Sequence, residues 1–313
     1  MGGQPMTKLH PELRAARFIP KIPADSWLIR VIPDILPKAP PLPDTLTVED
    51  VTVPGLEGEP DVGLRIYRPT AVATKSPALF WIHGGGFVSG TPENDESVSR
   101  AFALELGMTV VALRYRLAPQ HPSPAAVHDA YAGLRWVFEH ADERGIDTER
   151  IAIGGASAGG GLAATLALFA HDRGEVRPAF QLLVYPMLDD RTVTRTDHDT
   201  RGVLIWIPRS NHYGWTSYLG TAPGSAGVSP YAAAARREDL SGLPPAWIGV
   251  GTLDLFHDED LAYARRLNDA GVPCELVVVP GAFHGFDRLF TKKPVAQAFW
   301  ASQLGALRGA LGL

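Results

Sequence analysis

A hydroxyl, an imidazole and a carboxylate are the three side chains that acyl transfer divides its labour between, and this 313-residue chain carries each where it could act. Ser157 is the centre of Gly155-Ala156-Ser157-Ala158-Gly159. With 32 glycines in the chain, about 0.13 such Gly-x-Ser-x-Gly matches arise by chance, so the pattern needs its context. The apolar run Ile151-Ala152-Ile153 precedes it and the alanine-rich stretch from Leu162 to Ala170 follows. A serine on so sharp a strand-to-helix turn would hold its hydroxyl clear of a sheet. A solvated serine in a glycine-rich turn is the other reading of the same residues. His83-Gly84-Gly85-Gly86 is the more specific signal, expected about 0.01 times by chance, and it leaves the apolar run Ala78-Leu79-Phe80-Trp81-Ile82. Three glycines expose backbone N–H groups that can aim at one point, as the negative oxygen of a tetrahedral intermediate requires. A phosphate cradle would normally follow its last glycine with Lys-Ser or Lys-Thr; here Phe87-Val88-Ser89 follows.

A serine hydroxyl needs a base to take its proton and a carboxylate to orient that base. Ala246-Trp247-Ile248-Gly249-Val250 reads as a strand, with Asp254 just past its end; Glu275-Leu276-Val277-Val278-Val279 reads as another, closed by Pro280-Gly281 and followed by His284. Reacting groups in open α/β sheets gather outside the carboxyl ends of the strands. Ser157, Asp254 and His284 satisfy that rule in the order serine, acid, histidine. Asp258, Glu259 and Asp260 compete as the acid, but they begin an expected helix running to Ala270, where carboxylates complement the helix dipole and need no other purpose. His140, His171 and His257 fall in or beside polar helical stretches and read as surface imidazoles.

The pairing of His83-Gly84-Gly85-Gly86 with Gly155-Ala156-Ser157-Ala158-Gly159-Gly160 resembles the hormone-sensitive-lipase branch of the α/β-hydrolases, mostly bacterial esterases. Tyr115-Arg116-Leu117-Ala118-Pro119, Asp254 with Asp258-Glu259 behind it, and Phe283-His284-Gly285-Phe286 extend the likeness over most of residues 45–313. The resemblance implies Ser157 as nucleophile, Asp254 as acid and His284 as base. It implies an oxyanion hole from the N–H groups of Gly85, Gly86 and Ala158, with His83 holding the glycine loop in shape. It implies hydrolysis of short-chain carboxylic esters through an acyl-enzyme. The same residues would serve an amide, lactone, carbamate or thioester, and a receptor that has lost catalysis is the reading from another class. Two positions depart from the family: Ala156 stands where it usually has Asp, and Leu255 where it usually has Pro.

Composition agrees. A chain 45% hydrophobic and 20% charged can bury a large core, and one domain spanning 1–313 is expected. A net charge of −5 offers no basic footprint for nucleic acid or an anionic membrane. The start, Met1-Gly2-Gly3-Gln4-Pro5, lacks a cationic and then apolar leader, and no stretch of about 18 apolar residues could span a bilayer. A cytoplasmic protein is expected, acting on a small-molecule ester with neither metal nor organic cofactor; relatives in the family often pair, so a homodimer is compatible. The single cysteine, Cys274, excludes an internal disulfide and reads as an apolar filler beside a strand.

The elements that must position these groups alternate as a mostly parallel sheet flanked by helices, the α/β-hydrolase fold. Strands are expected at Thr47 to Val53 and Val62 to Tyr67, and beginning at Ala78, Thr109, Ile151, Gln181, Ala246 and Glu275; Ala125 to His140 and Glu259 to Ala270 are expected helices. Nine of the 27 prolines break the first 43 residues into short pieces, between which Leu28, Val31, Ile32 and Ile35 repeat at helical spacing. Residues 187–227 interrupt the alternation, and Pro208 to Leu219 reads as a helix with Pro in its first turn and Gly220 after its end. His212, Trp215 and Leu219 would share one face of it, Trp215 as ordinary core packing. This interval and residues 1–45 are expected to form a helical cap, with Phe87, Trp206 and Tyr213 lining the substrate pocket.

Overall fold

The computed structural model describes residues 8–26, 41–71, 75–197 and 199–313. The strands are Leu46–Val53 (β1), Val62–Pro69 (β2), Ser76–Ile82 (β3), Thr109–Arg114 (β4), Ile146–Ala156 (β5), Phe180–Val184 (β6), Ala246–Gly251 (β7) and Cys274–Val279 (β8). They form one sheet in the order β1-β2-β4-β3-β5-β6-β7-β8. The β1–β2 and β2–β4 pairs are antiparallel, and every pair from β4 to β8 is parallel. All residues of β3, β6 and β7 are buried, which is why they read as mostly apolar runs, Ser76 and Gln181 being the polar exceptions: crossover helices cover both faces of a parallel sheet.

The helices are Glu96–Leu106 (α1), Ala125–Glu139 (α2), Ala158–Arg173 (α3), Pro208–Leu219 (α4), His257–Asp269 (α5), Phe286–Leu289 (α6) and Pro294–Leu311 (α7). Alternate strand residues feed two cores. Phe80, Ile82, Val111 and Ile153 pack with Tyr131, Leu134, Leu162 and Leu166 on one face. Leu79, Trp81, Val110 and Trp247 pack with Phe102, Phe299 and Leu307 on the other. The helices α1 and α7 go beyond the elements read from sequence. In α1 the buried positions Ser99, Phe102, Ala103 and Leu106 follow helical spacing, while α7 opens on a proline and closes on the left-handed Gly312.

Part of the amino-terminal arm is described. Pro11–Phe18 is a 3-10 helix that buries Leu13 and Ala16, and the His10 N–H donates to the Gly281 carbonyl at 2.9 Å. Farther along, the Ala24 N–H donates to Ser210 Oγ at 3.0 Å, and Asp25 pairs with Arg209 at 2.7 Å. The helical run expected through Leu28, Val31, Ile32 and Ile35 lies outside the described residues, as does Met1 to Pro5. Among the described residues no helix is long and apolar enough to cross a membrane.

Candidate active site

β5 ends at Ala156 and α3 begins at Ala158, so Ser157 alone carries the reversal, with φ +58° and ψ −123°. A non-glycine residue holds such a backbone only when its surroundings over-determine it. Here the Ser157 N–H donates to the Val184 carbonyl at 2.9 Å, and its carbonyl accepts from the Gly161 and Met187 N–H groups, both at 3.0 Å. The turn also needs room: a Cβ on Gly159 would stand 2.1 Å from the Ile82 carbonyl oxygen, so only glycine lets α3 approach the end of β3 this closely.

Three elements then converge. His284, in the loop after β8, places Nε2 2.9 Å from Ser157 Oγ. Its Nδ1 lies 2.8 Å from Asp254 Oδ2, and Asp254 Oδ1 accepts from the Phe256 N–H at 3.0 Å. An ionised carboxylate can only accept, so Nδ1 carries the proton and Nε2 presents its lone pair to the hydroxyl. The three side chains are almost wholly buried, and two rings box the imidazole edge-on: Tyr185 at 4.7 Å and Phe256 at 5.3 Å between centroids. The Tyr185 hydroxyl donates to Asp287 at 3.0 Å; burial in this wall pushes its pKa well up, so it stays a neutral donor. Sequence reasoning missed Tyr185 and Phe256. Their signal was position, each standing within two residues of a strand end or of Asp254, where reacting groups gather.

The glycine loop is held from behind. His83 is buried and stacks on Tyr115 at 4.4 Å, and Tyr115 donates its hydroxyl to the His83 carbonyl at 3.2 Å. His83 Nδ1 meets the Gly84 carbonyl at 2.8 Å and must donate to it, while Nε2 has no partner. Burial lowers the pKa of this imidazole, so a neutral ring braces the loop. Arg116 fixes the adjoining strand end through Asp129 at 2.7 Å, and the Ala118 N–H donates to the Phe87 carbonyl at 2.9 Å. The Gly85 carbonyl accepts from the Val88 and Ser89 N–H groups, both at 3.1 Å. No hydrogen bond among the described residues takes up the N–H of Gly85, Gly86 or Ala158; Ala158 is the first residue of α3, where the N–H has no intrahelical partner.

The expected lining residues fare differently. Trp206 stands directly on the loop: a Cβ on Gly86, at φ +63°, would lie 2.0 Å from its Cη2. Its Nε1 donates to Asn211 Oδ1 at 3.0 Å. Phe87 turns into the core, 1% exposed, stacked on Tyr218 at 3.9 Å and tilted against Trp215 at 5.7 Å; it backs the wall from inside. Tyr213 lies on α4, half-buried. Trp215 is fully buried core.

The carboxylates at the start of α5 do more than complement a dipole. Asp258 is exposed and pairs with Arg195 at 3.0 Å. Glu259 is buried and accepts from the Leu188 and Asp189 N–H groups at 2.7 and 3.1 Å and from the Thr192 hydroxyl, tying the segment after β6 to α5. Asp260 is fully buried and neither oxygen has a partner. Burial pushes its pKa well up, with Glu259 and Asp254 adding to the shift. The departure at Ala156 leaves its methyl beside a cavity of about 280 Å³ shared with Trp81, Val184, Tyr185 and Arg288. Among the described residues no three His, Cys, Asp or Glu side chains converge as a metal site would.

Residues 79–288 match a family described as the alpha/beta hydrolase fold. The chain belongs to that family. With the glycine loop and the serine turn in hand, it falls in the hormone-sensitive-lipase branch. Carboxylesterase NlhH of Mycobacterium tuberculosis is 38% identical over 286 residues, covering 90% of this α/β-hydrolase and 86% of its own length. Ethyl acetate hydrolase of Pseudomonas putida is 34% identical over 229 residues, 72% of this chain and 71% of its own. A solved structure described as a bacterial heroin esterase superposes with a TM-score of 0.90 at 40% identity, over 97% of this chain and 98% of that one.

Proposed function

We propose that this α/β-hydrolase is a serine carboxylesterase that cleaves short-chain carboxylic esters through an acyl-enzyme. The observation that carries the reading is the unbroken relay from Ser157 Oγ to His284 Nε2 at 2.9 Å and from His284 Nδ1 to Asp254 at 2.8 Å. His284 takes the Ser157 proton as the hydroxyl attacks the ester carbonyl, and Asp254 keeps the imidazole in the required tautomer and stabilises its cation. The oxyanion forms against the N–H groups of Gly85, Gly86 and Ala158. Return of the proton to the alkoxide expels the alcohol. Water then repeats the sequence, activated by the same imidazole, and releases the acid. Short esters are favoured because Trp206 stands against Gly86 on the glycine loop, and because a relative is named for ethyl acetate.

Turnover of 4-nitrophenyl esters of rising acyl length tests it: kcat/KM peaks among the short acyl groups and falls at long ones. A peak at long chains overturns the size preference. Failure of Ser157 to take a fluorophosphonate label overturns the nucleophile.

The same proposal makes the amino-terminal arm and residues 187–227 a cap over the cleft within one domain. The bonds from Ala24 to Ser210 and from Asp25 to Arg209 support it. A cytoplasmic location fits a chain whose lone cysteine can form no internal disulfide. Pairing into a homodimer fits the open edge of β8, where Val277 and Val278 stay half-buried; sedimentation at working concentration decides it.

A further inference from the structure

The three segments that carry Ser157, Asp254 and His284 meet at Tyr185. The chain on either side of it holds the serine: the Val184 carbonyl accepts from the Ser157 N–H at 2.9 Å, and the Met187 N–H donates to the Ser157 carbonyl at 3.0 Å. Its own N–H donates at 2.7 Å to the Gly249 carbonyl in β7, the strand that leads to Asp254. The side chain reaches the third segment. Its ring stands edge-on to the His284 imidazole at 4.7 Å between centroids, and its hydroxyl donates to Asp287 Oδ1 at 3.0 Å. Asp287 lies three residues after His284. The contacts therefore close a loop from His284 along the chain to Asp287, across the hydrogen bond, and through the phenol back to the imidazole. Tyr185 makes them from a strained backbone, with φ +36°, a conformation that persists only where its surroundings over-determine it.

The hydroxyl bond does what the other contacts leave undone. Asp254 meets the imidazole through one bond at 2.8 Å, about which the ring could still pivot, whereas Nε2 has to meet Ser157 Oγ at 2.9 Å. Tyr185 and Asp287 both line the cavity of about 280 Å³ beside Ala156, so close packing does not hold the pair on that side. Burial raises the Asp287 pKa. A protonated carboxyl still offers an oxygen to accept from the phenol, so the tie does not depend on charge.

Resting on the esterase reading, we propose that Tyr185 is a positioning residue: its hydroxyl, latched to Asp287, holds the His284 segment to the ends of β6 and β7 and so sets the reach of the imidazole to Ser157. It acts through His284 in acylation and deacylation alike, and therefore on kcat rather than on substrate binding.

Tyr185→Phe keeps the ring and removes the latch. One net hydrogen bond is worth about 3- to 10-fold in an equilibrium, and kcat on a short 4-nitrophenyl ester, counted per site titrated with a fluorophosphonate, falls by about that factor. KM stays within about twofold, and the rate of fluorophosphonate labelling, which needs the same proton transfer, falls with kcat. Asp287→Leu gives the same loss, and the double variant loses no more than either single one. Asp287→Asn, whose Oδ1 still accepts the hydroxyl, returns kcat to within about twofold of the parent and leaves its pH profile in place. Parent-like kcat and labelling rate in Tyr185→Phe overturn the proposal even if the melting temperature drops, because the bond is then structural only; this variant decides the matter if Asp287→Leu does not fold. Additive losses in the double variant overturn it too. So does an Asp287→Asn enzyme as slow as Asp287→Leu with a shifted acid limb, which makes Asp287 act on the imidazole by charge. No ester turnover by the parent sinks the esterase reading and this one with it; parent turnover matched by Tyr185→Phe sinks only this one.

Discussion

Adding one methyl at Gly86 should disarm the oxyanion site through Trp206. The ideal Cβ would sit 2.0 Å from Trp206 Cη2, whereas carbon atoms settle at about 3.5 Å, so one partner must yield by about 1.5 Å. The indole has little freedom to do so. Its Nε1 is bonded to Asn211 at 3.0 Å, and α4 passes behind it closely enough that a Cβ on Gly214 would lie 3.1 Å from Cζ2. The loop is the softer element, held at φ +63° by a residue without a side chain, and a left-handed alanine adds about 1–2 kcal/mol of strain. On the proposed mechanism, moving the loop carries the Gly86 N–H away from the oxyanion, and losing one such donor costs about 10²- to 10³-fold in kcat. Gly86→Ala is therefore expected to lower kcat on a short aryl ester by about 10² while the fold survives in a thermal melt. Pairing it with Trp206→Ala removes the collision. In the double-mutant cycle, the penalty for Gly86→Ala shrinks by about tenfold when Trp206 is absent. A Gly86→Ala enzyme within twofold of the parent, or an equal penalty in both backgrounds, refutes the steric argument.

Ser157→Ala should lower kcat by about 10⁵ to 10⁶, read by burst-free ester turnover with the fold checked by circular dichroism. His284→Gln should fall comparably, while His140→Gln, whose ring bonds the Trp136 carbonyl at the end of α2, keeps parent activity; equal losses would mean the wrong imidazole. Asp254→Asn is expected to lower kcat by about 10⁴, because the amide no longer requires a proton on Nδ1. Asp260→Leu should stabilise the fold, and more so as pH rises. The folded pKa of Asp260 is raised by burial, with Glu259 and Asp254 adding to it, so the stability associated with its protonated form is complete below the ordinary carboxylate range and is lost as pH climbs toward the raised value. The gap in unfolding free energy between variant and parent then widens by about 1.36 kcal/mol per pH unit through that window; a gap flat from pH 5 to pH 8 in denaturant titrations contradicts it.

Much of this was legible along the chain, for reasons that differ from element to element. The strands β3, β6 and β7 announce themselves because both faces are covered and their residues are apolar or small apart from Gln181. The pentapeptide around Ser157 and the glycines after His83 are readable because backbone geometry demands them locally: a Cβ on Gly155 would stand 2.4 Å from the Gly159 carbonyl oxygen, and Gly85 and Gly86 hold φ of +119° and +63°. Asp254 and His284 follow from where β7 and β8 end. The helix α4 is bounded by its own proline and glycine.

What stayed hidden depends on partners distant in sequence. Phe87 is next to the glycine loop, yet its ring goes into the core because Tyr218 and Trp215 are there to receive it. Glu259 and Asp260 look like ordinary first-turn carboxylates; bonds from residues 188–192 make the first a tether, and burial leaves the second a partnerless acid. Asn211 carries no signal until Trp206 takes its Oδ1 and leaves Nδ2 buried without a partner. The sequence by itself determined the strand–turn–helix that strains Ser157, the bare N–H groups and the order of Ser157, Asp254 and His284 along the strand ends, because these rest on local backbone sterics and on apolar periodicity. Only the tertiary structure decided which imidazole reaches the hydroxyl, which rings enclose it and which polar atoms lose their water, because those depend on strand order and on contacts between segments more than a hundred residues apart, as Ser157 and His284 are.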